Sequence, residues 1–71
     1  MRRIYIQYGG TEFSIGIEDA DTLRAKILET VAAGRSMWLD VDRGEGRLEP
    51  ATILITPGVA IAVIDPRQND D

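Results

Sequence analysis

The stretch Arg2-Arg3-Ile4-Tyr5-Ile6-Gln7-Tyr8-Gly9-Gly10-Thr11-Glu12-Phe13-Ser14-Ile15-Gly16-Ile17 reads as two strands around a two-residue turn. Ile4, Ile6 and Tyr8 alternate with Arg3, Tyr5 and Gln7, and Phe13, Ile15 and Ile17 alternate with Glu12, Ser14 and Gly16. Period two is the signature of a strand with one dry face. Gly9-Gly10 can supply the positive φ angles of a primed hairpin turn, whose twist matches that of the flanking strands. A loop of that length pairs Tyr8 with Thr11, Ile6 with Phe13 and Ile4 with Ile15. In this register both apolar rows share one face, so turn chemistry and hydrophobic pattern agree without either having been fitted to the other.

Downstream, Glu18, Asp19 and Asp21 place negative charge and a capping side chain where unpaired amides of a helix would begin. A helix is predicted from near Asp19. Ala20, Leu23, Ile27, Leu28 and Val31 recur at spacings of three and four and form the predicted buried stripe, and Gly34 ends the helix. Met37, Leu39 and Val41 alternate with Ser36, Trp38, Asp40 and Asp42 in a third strand, which leaves Trp38 on the face away from the helix. Arg43 to Pro50, with two glycines and charges of both signs, is an exposed connection. Ala51 to Thr56 and Val59 to Ile64 are β-branched runs separated by Pro57-Gly58, a pair that suits a type II turn.

The order ββαβββ gives an α+β fold: a curved five-stranded antiparallel sheet or an SH3-like small barrel, with one helix inserted after strand 2. Because a type II turn fits a flat two-residue hairpin poorly, a sharp bend between strands 4 and 5 favours the barrel. Residues 1–65 form the expected single domain, and 66–71 an acidic tail that frays.

At 71 residues the chain has room for one core. Domains of this size bury only about 60% of the surface their unfolded chains expose, and they usually carry a staple. There is no Cys and no His, so a disulfide is ruled out and a zinc site nearly so, and self-association is the staple that remains. The longest apolar run, Val59 to Ile64, falls far short of the roughly 20 residues a membrane-spanning helix needs. Arg2-Arg3 is followed by strand alternation instead of the apolar core of a signal peptide, so the expected location is cytoplasmic, with no membrane partner. Eight basic against twelve acidic residues give a net charge of −4, which disfavours a nucleic-acid partner.

Catalysis of the Ser-His or Cys-His type lacks its base and, in the second, its nucleophile. Lys26, the only lysine, falls among polar helix positions, and Asp40 with Asp42 reads as a charged strand end. Asp40 to Gly46 is similar at its opening to a calcium loop, but Gly44, Glu45 and Ala51 occupy positions that need a ligand, a glycine and a bidentate glutamate. Gly44-Glu45-Gly46 has neither the third glycine nor the Lys-Ser/Thr of a phosphate cradle, and Glu45 and Glu49 offset Arg43 and Arg47. The expectation is a non-enzyme with no catalytic residue, metal or cofactor.

What a purely structural reading explains least is the second sheet face. Tyr5 and Trp38 fall on it, joined by Leu54, Ala60, Ala62 and Ile64 from strands that are apolar on both sides. One helix cannot cover two faces, and aromatic residues are enriched at interface centres. These six residues are therefore the candidate interface of a small self-associating accessory or scaffolding domain, its partner a second copy or another protein. The alternative is a small-barrel nucleic-acid-binding or regulatory adaptor working through Arg2, Arg3, Arg43 and Arg47.

Overall fold

A computed structural model describes residues 2–44 and 46–66. Five strands and one helix follow in the order β1 (Arg2–Tyr8), β2 (Thr11–Ile17), α1 (Ala20–Ala32), β3 (Met37–Arg43), β4 (Glu49–Ile55) and β5 (Ile61–Ile64). All pairings are antiparallel, in the sheet order β4-β3-β2-β1-β5. The first hairpin has the expected register, with Ile4 opposite Ile15, Ile6 opposite Phe13 and Tyr8 opposite Thr11. Gly9 and Gly10 have φ of +59° and +84°, the left-handed pair that a primed turn requires and that side chains resist.

The helix begins where the charge pattern placed it. Asp19 is the N-cap: one carboxylate oxygen accepts the Asp21 N–H at 3.0 Å, and the other accepts the Thr22 hydroxyl at 2.7 Å. At the far end the Arg35 N–H reaches the Thr30 carbonyl and the Gly34 N–H the Val31 carbonyl, the paired bonds of a Schellman stop. Asp19→Ala should therefore lower stability by about 1 kcal/mol in urea denaturation, whereas Asp19→Asn, which keeps the acceptor, should cost much less. Equal losses would show that capping is not the residue's contribution.

Helix and sheet meet over one core. Leu23 and Ile27 from α1 pack with Ile6, Leu39, Val41 and Ile55, and Phe13, Ile15, Ile53 and Ile61 close its sides. Leu28 departs from the predicted stripe: it is 68% exposed. An apolar arc that included Leu28 beside Ile27 would be wider than the strip of sheet the helix covers, so the residue turns to solvent.

The sheet is curved but does not close into a barrel. β4 and β5 are its two edges and, among the described residues, do not pair with each other. Flat, five strands would hold those edges about 19 Å apart at ~4.8 Å per step. Yet only residues 56–60 join them, and these contain a turn at Pro57-Gly58, where Gly58 has φ +91° as a type II turn demands. The sheet has to curl for so short a link to reach. Tyr8 bridges the remaining gap: its hydroxyl donates to the Leu54 carbonyl at 2.6 Å and accepts the Thr56 N–H at 3.0 Å. A side chain from β1 thus supplies the contact that strand pairing would make in a barrel.

Strand boundaries differ from expectation at two places. β4 starts at Glu49, so Pro50 lies inside a strand, which it tolerates because β4 is an edge. β5 starts at Ile61, leaving Val59 and Ala60 in the connection that turns the corner. Asp65, the last residue of the expected domain, is buried; of the expected tail, Pro66 is exposed and residues 67–71 lie outside the described residues.

Candidate functional site

The outer face of the sheet, opposite the helix, is laid out by register. Trp38 stands opposite Leu54, Asp40 opposite Thr52 and Asp42 opposite Pro50 on β3 and β4. Ser14 joins Asp42 on one side and Tyr5 on the other, and Tyr5 in turn faces Ile64. Neither the helix nor a closed barrel covers this face. Trp38 is 67% exposed, and Leu54, Tyr5 and Ile64 are exposed on the same face.

The six candidate interface residues are not one continuous patch. Trp38 and Leu54 form a pair at the β3–β4 corner, and Tyr5 and Ile64 form a second pair at the β1–β5 corner. Trp38 and Tyr5 are separated by two strands laterally and by four residues along β3, or roughly 16 Å. Ala62 lies opposite Gln7, and Ala60, outside β5, borders with it an open concavity of about 420 Å³ beside the Gly9-Gly10 turn. Between the two aromatic corners runs a polar band.

That band is tied together by side-chain contacts. The Arg3 guanidinium donates to the Asp42 carboxylate at 3.0 Å, reaching from β1 over β2 to β3. The reach is open because Arg3 sits opposite Gly16, which has no side chain to stand in the way. Both partners are about a third exposed, so the pair is worth no more than about 1 kcal/mol. The Thr52 hydroxyl donates to Asp40 at 3.1 Å, and Arg43 pairs with Glu49 at 3.5 Å in the loop base. Asp40 and Asp42, weighed as a carboxylate pair for acid–base chemistry, are thus each engaged by a different partner. Among the described residues no three carboxylates or other metal-ligating side chains gather.

Two residues matter on this face that the sequence pattern did not single out. Ser14 is buried among exposed neighbours, and Leu48, from the β3–β4 connection, borders a concavity together with Arg3, Tyr5 and Ser14. Leu48 carried a signal, being the one apolar side chain in a polar loop. Ser14 carried none, because alternation alone places it on an exposed face.

No family model matches the chain, and no curated protein or solved structure matches it either. The reading of its function rests on the geometry above. No helix among the described residues is long and apolar enough to cross a membrane.

Proposed function

We propose that this chain is a non-enzymatic accessory or scaffolding domain that self-associates through the outer face of its sheet, with Trp38, at the β3–β4 corner, as an anchor. The observation that carries this reading is Trp38 itself, two-thirds exposed and directly opposite the exposed Leu54 in the β3–β4 register. A large aromatic held by cross-strand packing presents area with few rotors to fix on binding.

A second copy suits this face for two further reasons. The molecule is 34 by 29 Å across and 19 Å deep, so its broad side can supply the ~800 Å² per partner that a standard interface buries. An acidic chain also meets its own copy with less repulsion where a carboxylate of the face is paired, as Asp42 is by Arg3. The nucleic-acid reading is weaker on this geometry, since Arg3 and Arg43 are each neutralised by a carboxylate.

Sedimentation at micromolar concentration should give a dimer or larger species. Trp38→Glu should weaken association at least thirtyfold, about the effect of losing a hot spot, while leaving the helix and sheet content intact. A wild-type chain that sediments as a monomer would overturn the proposal.

A further inference from the structure

Ser14 is 5% exposed, and its hydroxyl has no hydrogen-bond partner among the described residues. Buried hydroxyls are nearly always paired, and one that is not points to a group missing from the structure. Ser14 lies between two adjoining concavities on the outer face. One holds Arg3, already engaged by Asp42. The other, about 230 Å³, is bounded by Tyr5, Glu12, Phe13 and Gly44, with no cationic side chain in its wall among the described residues. Phe13 turns its ring to the core, so the side-chain chemistry of this second concavity is that of Ser14, Glu12 and Tyr5. Glu12 is exposed and has no ion-pair partner among the described residues.

We propose that this cavity binds a primary alkylammonium group. A hydroxyl oxygen with free lone pairs, a carboxylate and the face of an aromatic ring all favour a cationic donor, and together they disfavour an anion. The ammonium donates to the Ser14 hydroxyl and to Glu12, and its methylene stem lies along the Tyr5 ring. A net charge of −4 raises the local concentration of such cations. The group can come from the lysine side chain of a protein partner or from a free polyamine.

The inference goes beyond self-association and is separable from it, because Trp38 lies at the opposite corner of the face. Amide ¹H–¹⁵N spectra of the wild type and of Trp38→Glu are titrated with n-butylammonium, with tetramethylammonium as a control that has charge but no N–H donor. The expected result is saturable shifts confined to Tyr5, Glu12, Ser14 and Gly44 in both proteins, much weaker with the control. Glu12→Gln should weaken binding about fivefold and Ser14→Ala about threefold, with both variants folded. Tighter binding of Nα-acetyl-lysine methylamide than of spermidine assigns the site to a protein partner, and the reverse assigns it to a polyamine. Absence of saturable shifts, or shifts that spread over other carboxylates and persist in Glu12→Gln, would overturn the proposal whatever the oligomeric state.

Discussion

Ile6→Ala should remove a large share of the domain's stability, about 2–5 kcal/mol. Ile6 is wholly buried, where the interior strand β1 meets Leu23 and Ile27 of the helix and Ile55 of the edge strand. Truncating such a side chain costs about 2–5 kcal/mol, combining lost transfer energy with the cavity left behind. At roughly 0.05–0.15 kcal/mol per residue, a chain of 71 residues has only about 4–10 kcal/mol in total. The matching control is Leu28→Ala, which removes a side chain of equal size from a position 68% exposed and should change stability by less than about 0.5 kcal/mol. Urea denaturation followed by far-ultraviolet circular dichroism separates the two. Similar midpoints for both variants would mean that the core has been placed on the wrong side of the helix.

Tyr8→Phe removes one oxygen and should cost about 1–2 kcal/mol, because that oxygen is donor to one main-chain group and acceptor for another. Its position also protects β4. In an antiparallel ladder, alternate residues turn their main-chain groups toward the neighbour and away from it. The Leu54 carbonyl and Thr56 N–H that meet Tyr8 belong to the outward set, as do those of Thr52 and Pro50. Pro50 has no N–H, so proline at one end and tyrosine at the other leave little of this edge free to template another strand. The variant should therefore combine a lower urea midpoint with increased light scattering at high concentration. An unchanged midpoint would rule out the bridging role.

Legibility in the sequence follows the range of the interactions concerned. The first hairpin could be read in full because its turn and its alternation are local, and the helix because Asp19 and Gly34 mark its ends with side-chain and backbone chemistry. The curvature could be read only in part. Pro57-Gly58 announced a sharp corner, but whether the edges then pair depends on Tyr8 reaching across the core, a contact between residues 46 and 48 positions apart. Leu28 was misplaced because periodicity gives the direction of an apolar stripe better than its width. On the outer face the aromatic residues could be assigned to the correct side, while their division into two corners depends on the β2–β3 register, which among the described residues is set by the pair Ser14 and Asp42. Ser14 could not have been found by pattern, since burial of a polar residue on an open face is made by the neighbours it acquires on folding.

The strand order also has a consequence for how the chain reaches this structure. β1, the first strand described, occupies an interior position and has β5, the last strand described, as one of its two neighbours. Tyr5 pairs with Ile64 across nearly the whole sequence, so a vectorially emerging chain can build the hairpin and helix early but cannot finish the sheet until its final strand is out. Until then one side of β1 is an unpaired edge carrying Ile4 and Ile6. Refolding should accordingly be slow for a chain this small, and a ribosome-stalled nascent chain halted before residue 61 should be held in a protease-sensitive, chaperone-binding state.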